Sequence, residues 1–239
     1  MSDSSRSLDD LRTFLNSTVG VDLQQRMKFY DSWAETYEQD HDTLSYRAPH
    51  QMVEFLLDNF SGHPEQVQVL DVACGSGLVA NLMVELGFKH FVGVDGSQGM
   101  LDQAAKTGLY KELRLALLGT EPLPAPTGMF DMVMIVGALR DGYVPVSVIR
   151  ELCLAAKPGG YICMSRNGLK SESGNKYKVS MEKELQLMEE EELWSHVITK
   201  EMDRYMIDVS DNCEDVQNEK YLSGTMYLYR KSLNESLST

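Results

Sequence analysis

A chain of 239 residues, 43% of them hydrophobic, can bury a full-sized α/β core with an appendage, which excludes a disordered or fibrous class. Its 36 acidic against 22 basic residues leave a formal net charge of −14, a balance that repels a phosphate backbone and disfavours a nucleic-acid partner. Cys74, Cys153, Cys163 and Cys213 form no CxxC pair and have no neighbouring histidine; they read as reduced, buried thiols, with no metal site expected. The opening MSDSSRSLDDLRTFL lacks a cationic start followed by an apolar stretch, and no apolar run approaches ~18 residues. A soluble, monomeric protein of the cytoplasm, with the nucleus as a second compartment and no membrane association, is the expectation.

From Leu8 to about Asp58 the chain is helical in character. Asp22 caps a helix whose Met27, Tyr30, Trp33, Ala34 and Tyr37 recur at spacings of three and four, giving an aromatic face. Arg47-Ala48-Pro49 breaks it, and a second helix runs through Met52, Val53, Leu56 and Leu57. The turn-forming FSGHPEQ at 60–66 closes a helical cap of residues 1–63.

A main domain, residues 64–231, follows, in which short apolar strands alternate with helices as in βαβ units. The predicted strands are Val67–Ala73, Phe91–Asp95, Leu113–Leu118, Phe130–Val136 and Tyr161–Ser165; the predicted helices between them are 78–86, 99–107 and 146–156. NGLKSESGN is predicted as a polar loop, and Lys176–Glu192 as a charged helix with Met181, Leu185 and Met188 inward. Two β-like runs, Trp194–Val209 and Tyr221–Arg230, read as a closing antiparallel pair joined by an acidic segment, and 232–239 as a disordered tail.

The stretch VLDVACGSGLVA at 69–80 ends a strand in glycines before a helix, so the backbone can approach a ligand closely and offer N–H groups to it. Asp95, closing the next strand, is placed to hold the two hydroxyls of a ribose. The spacing from Gly77 to Asp95 also suits NAD, so the turn has two readings. Asp71 weighs between them. A carboxylate there would repel a pyrophosphate but favours a cation, and S-adenosylmethionine carries an ammonium and a sulfonium.

VLDVACGSGLVA, GVDGSQGML, the FDMVMIVGAL strand and KPGG resemble the class I S-adenosylmethionine-dependent methyltransferases, and KFYDSWAETYEQDHDTLSYRAP looks like the cofactor-covering helix of members acting on small molecules. The resemblance implies a Rossmann-like fold: a mostly parallel seven-stranded sheet with an antiparallel C-terminal strand and an N-terminal helical cap. It implies S-adenosylmethionine as cofactor, S-adenosylhomocysteine as product, and a small-molecule or protein acceptor.

Carried over by position, the resemblance puts Ala73, Cys74, Gly75 and Gly77 under the methionine portion, with Asp71 supporting its amino group. Asp95, with Gly96 and Ser97 beside it, would hold the ribose. Met100, Leu118 and Gly119 would flank the adenine, and Thr120 or backbone groups would replace the acidic residue that many members have there. Val136 and Gly137 would form the floor beneath the sulfonium. Trp33, Tyr37, Tyr46 and Arg47 would close the site, with Arg47 pairing with the cofactor carboxylate.

Arg140, Asp141 and Tyr143, and Ser165, Arg166 and Asn167, follow the fourth and fifth strands, where open α/β sheets bind ligands. Asp141 and Tyr143 are the catalytic candidates. Two other readings stay open: a cofactor-binding module without catalysis that acts through partners, and an NAD-dependent oxidoreductase, which lacks an evident Tyr-x-x-x-Lys pair here.

Overall fold

The computed structural model describes residues 6–168, 171–209 and 220–233. Its centre is set by two apolar runs, β1 (Gln68–Val72) and β4 (Phe130–Val136), buried on both faces as parallel strands under helices must be. With β2 (His90–Asp95), β3 (Tyr110–Leu115), β5 (Ala156–Asn167), β6 (Trp194–Ile207) and β7 (Tyr221–Lys231) they form one sheet in the order β3-β2-β1-β4-β5-β7-β6. Only β7 runs against the rest. The chain moves outward from β1 to β3, then returns to β4 on β1's other side. The C-terminal ends of β1 and β4 therefore bracket a crevice at a topological switch point.

Five of the described helices pack on the sheet, α4 (Ala48–Asn59), α5 (Leu78–Glu85), α6 (Gln98–Lys106), α7 (Val148–Ala155) and α8 (Glu172–Glu190), after the N-terminal helices α1 (Leu8–Asn16), α2 (Leu23–Trp33) and α3 (Tyr37–Thr43). Alternation along β1 divides the core: Leu70 packs with Ile149, Leu152 and Met181 on one face, and Val69 with Phe55 and Met83 on the other. Trp194, stacked on Tyr229 at 4.3 Å, anchors the antiparallel end. Cys74, Cys153 and Cys163 are free and buried, whereas Cys213 lies outside the described residues. Among the described residues, no helix is long and apolar enough to cross a membrane.

The sheet, its β7 direction and the charged helix follow the sequence pattern, but several boundaries do not. The Asp22-capped helix ends at Trp33, and Tyr37 starts α3 after a turn at 34–36. A buried carboxylate makes that corner: Asp40 accepts from the Trp33 indole at 2.7 Å, from the Thr36 hydroxyl at 3.0 Å and from Arg6.

The third strand is Tyr110–Leu115 instead of Leu113–Leu118. As a sheet edge it pairs with β2 through a strand of alternating polar residues, while the apolar Ala116 and Leu118 leave the sheet to be buried, Leu118 against the cavity. The strand predicted at Tyr161–Ser165 begins at Ala156, which already pairs with Phe130; KPGG bulges out between that pair and Tyr161, with Gly159 at φ +73°. Ser171 caps α8 inside the stretch predicted as a loop, accepting the Gly174 N–H at 3.0 Å. The acidic connection at 211–219 and the tail from 234 lie outside the described residues.

Candidate functional site

The strand-to-helix turn after β1 is held by one carboxylate. Asp95 accepts the Gly75 N–H at 2.8 Å on one oxygen and the Ser97 N–H at 2.9 Å on the other. Each oxygen keeps a further lone-pair direction for another donor. Gly77 caps α5 with φ +97°, a conformation that side chains rarely adopt, and a Cβ on Gly75 would meet open space. Opposite, α2 lies directly on the turn after β2, where a Cβ on Gly99 would sit 2.8 Å from the Asp31 backbone.

Beneath the turn, Asp71 is buried and accepts the Tyr110 hydroxyl at 2.8 Å. Burial pushes its carboxyl up to about 7, the Tyr110 hydrogen bond pulls it back, and the nearby Asp95 charge raises it further. Burial likewise raises Asp95, against the backbone N–H groups that favour its charged form.

The crevice forms a partly open cavity of about 500 Å³, within the range of small-molecule sites. Its roof is a chain of rings. Trp33 meets Tyr37 edge-on at 4.9 Å and stacks on His41 at 5.1 Å; His41 meets Tyr46 at 4.7 Å, and Tyr46 meets Tyr205 at 5.7 Å. The Tyr46 hydroxyl packs so closely on Gly137 that a Cβ there would collide with it. Gly137 in turn donates its N–H to Ser165 Oγ at 3.0 Å. His41 Nδ1 lies 2.8 Å from the Tyr37 carbonyl, which can only accept, so that nitrogen carries the proton; burial lowers the ring's pKa to about 4.

Of the residues expected to meet the cofactor, Trp33, Tyr37, Tyr46, Ala73, Gly75, Asp95, Gly96, Met100, Leu118, Val136 and Gly137 line this one cavity, as do Asp141 and Tyr143. The others lie off its walls for identifiable reasons. Asp71 and Cys74 sit under the turn, packed with Tyr110 and Gly93; Gly77 and Ser97 cap helices. Arg47 is exposed and its backbone N–H donates to Tyr205. Gly119 faces Pro145, and with Thr120 it lines a separate hollow beside Leu123, Glu151 and Leu154.

Sequence reasoning did not single out Arg26, Tyr177 or Tyr205, which also line the cavity, and placed Arg140 and Arg166 at the ligand-binding sheet edge without a specific role. One signal was available: Arg26, Tyr30 and Trp33 recur at helical spacing on the aromatic face of α2. The ring of Tyr143 has the Arg140 guanidinium at 3.5 Å and that of Arg26 at 4.0 Å. No cluster of metal-ligating side chains occurs among the described residues.

A β3-β2-β1-β4-β5-β7-β6 sheet, with a glycine turn after β1 and a carboxylate ending β2 at the same cavity, defines the class I methyltransferase architecture. Residues 63–216 match the methyltransferase domain family; the chain belongs to it and is an S-adenosylmethionine-dependent methyltransferase. It is 45% identical over 199 residues to Methyltransferase-like protein 27 from Homo sapiens, across 83% of this chain and 80% of that one. Solved structures share the fold at low identity. A SAM-dependent methyltransferase from Thermotoga maritima aligns with TM-score 0.56 at 18% identity, covering 85% of this chain and 98% of that one. Geranyl diphosphate C-methyltransferase from Streptomyces coelicolor A3(2), solved with S-adenosyl-L-homocysteine, aligns with TM-score 0.54 at 14% identity, covering 76% and 78%.

Proposed function

We propose that the cavity binds S-adenosylmethionine at its β1–β2 side and methylates a small molecule held at its β4–β5 side. The observation that carries this is a single roofed cavity walled both by the glycine turn with Asp95 and by the segments after β4 and β5. A ring-lined recess of about 500 Å³, partly covered by the N-terminal helices, suits a metabolite better than a protein surface.

The residues fit the cofactor. Asp95 has acceptor capacity left for two ribose hydroxyls, Gly75 opens toward the ligand, and Met100 and Leu118 offer an apolar slot for a purine. Val136 and Gly137 would underlie the reacting centre, while Trp33, Tyr37 and Tyr46 exclude water from above. Asp71 would act through its field from under the turn, and Gly77 and Ser97 through the helices that they cap.

The bound cofactor supplies an activated methyl group. The chain's task is to align the acceptor in line with that group, and no general base is required. In this reading Tyr143, clamped between guanidinium groups, shapes the acceptor side, and the exposed Asp141 stands at its rim. Residues 1–63 serve as the cap. Three buried free thiols favour a reducing compartment such as the cytoplasm.

Calorimetry with S-adenosylhomocysteine, with NADH as the competing ligand, tests the reading. Saturable heat with the former, reduced at least about tenfold in affinity by Asp95→Ala through the loss of charge-assisted hydrogen bonds, is expected. Binding of NADH alone would overturn it, and cofactor binding without a methylated product in metabolite screens would leave a non-catalytic module.

A further inference from the structure

Resting on that reading, we infer that the methyl acceptor is a small organic anion whose carboxylate or phosphate is held by a pair of arginines, Arg26 and Arg140, at the β4–β5 side of the cavity. The two guanidinium groups pack on the ring of Tyr143, at 4.0 Å and 3.5 Å, from two different elements: Arg26 from α2 and Arg140 from the loop after β4. Arg26 is only 5% exposed, yet its Nε has no protein partner, and neither does the buried Nε of Arg140.

Among the described residues, neither arginine forms an ion pair, although nine pairs of Lys or Arg with Asp or Glu occur among them. A third guanidinium on the same cavity, that of Arg166, is buried and donates only to neutral oxygens, the Tyr227 hydroxyl at 3.2 Å and the Asn167 carbonyl at 2.9 Å. In a chain of net charge −14, three uncompensated guanidinium groups on one cavity are costly unless a ligand brings the counter-charge. The planar, stacked fork of arginine suits the paired oxygens of a carboxylate or phosphate.

Carboxylates also reach the walls, and their placement is consistent with this division. Asp95 stands at the ribose side with its oxygens on the glycine turn and α6, and Asp141 is exposed at the rim. Asp208, just after β6, also lines the cavity. β1 separates β4, whose following loop carries Arg140 and Tyr143, from β2, which ends in Asp95.

The test titrates the full chain, first saturated with S-adenosylhomocysteine, with benzoate, phenyl phosphate and the neutral benzamide by calorimetry. Benzoate or phenyl phosphate should bind measurably tighter than benzamide, and the stronger of the two names the anion. Arg140→Gln and Arg26→Gln should each weaken anion binding about tenfold or more, as expected for a lost charge-assisted hydrogen bond, while S-adenosylhomocysteine affinity stays within about twofold. Arg140→Lys and Arg26→Lys, which keep the charge and serve if a Gln variant fails to fold, should retain part of the anion affinity. Equal binding of benzamide and the anions overturns the inference. So does a loss of S-adenosylhomocysteine affinity in the folded variants, which would give the arginines to the cofactor. Failure of the wild-type chain to bind S-adenosylhomocysteine defeats the cofactor reading itself and is seen before any anion is added.

Discussion

The Tyr110 hydroxyl donates across 2.8 Å to the Asp71 carboxylate, joining the edge strand to the central one directly beneath the glycine turn. Burial holds Asp71 near 7, well above its ordinary range, so folding favours its protonated form. The stability from this group is therefore complete below about pH 4 and is lost as pH rises through about 7, at about 1.4 kcal/mol per pH unit in between. Asp71→Asn keeps an acceptor for Tyr110 and has no charge to bury. It should raise the unfolding temperature at pH 8, with the gain shrinking toward pH 4. The same variant should weaken S-adenosylmethionine more than S-adenosylhomocysteine if the carboxylate's field favours the sulfonium. A pH-independent difference in unfolding temperature would refute the burial account.

Gly137 and Tyr46 make a second tight relationship, in which the hydroxyl of the roof rests on the backbone of the floor. With φ +81° and no room for a methyl, Gly137→Ala combines backbone strain with overpacking and should cost about 1–3 kcal/mol. Removing the hydroxyl with Tyr46→Phe relieves the collision but not the strain. Denaturant unfolding of the four-member cycle should therefore show Gly137→Ala costing less in the Tyr46→Phe background. Equal costs in both backgrounds would mean that the two residues do not press on each other.

What was legible in the sequence was the part that neighbours in the chain determine. The buried strand, the glycine turn and the acidic strand end occupy 68–95, and their spacing alone set up the ribose side. The rest depends on partners distant in the chain. Tyr110 looked like a residue before a strand because its role is to reach Asp71, 39 positions away. Residues 116–118 looked like a strand because they are apolar, but Ala116 is apolar to join the core, and Leu117 and Leu118 to line the cavity. Arg26 reads as an ordinary helix cation until the fold brings Tyr143 against it. Arg47 matches the family's pattern, yet its side chain is exposed and off the cavity walls.

Asp40 is the pin of the aromatic roof, since it accepts from Trp33, Thr36 and Arg6 at the corner between α2 and α3. Asp40→Ala leaves the buried indole N–H without an acceptor and should destabilise the chain by about 1–3 kcal/mol. Asp40→Asn, which retains one acceptor oxygen, should recover part of that. Because Trp33 and Tyr37 both roof the cavity, cofactor affinity should fall with the Ala variant. An unchanged unfolding temperature for Asp40→Ala would show that the corner stands without it.

His41 bends the pH dependence in the opposite sense from Asp71. Burial lowers its pKa to about 4, so the folded chain binds fewer protons there than the unfolded chain does, and its contribution is present above about pH 6.5 and lost as pH falls through about 4. The neutral ring donates from Nδ1 to the Tyr37 carbonyl and keeps its stack with Trp33; protonation would place an unpaired cation against the roof. The His41 ring resonances should thus stay constant from about pH 8 down to about 5.5, where an unperturbed histidine would titrate. Stability of His41→Gln should fall less than that of the wild-type chain over the same acid range. Since the Asp71 contribution grows as pH falls, the wild-type curve alone will look flatter than either group makes it, and the two single variants are needed to separate them. A His41 titration midpoint between about 6 and 7 would place the ring in water and remove it from the closed roof.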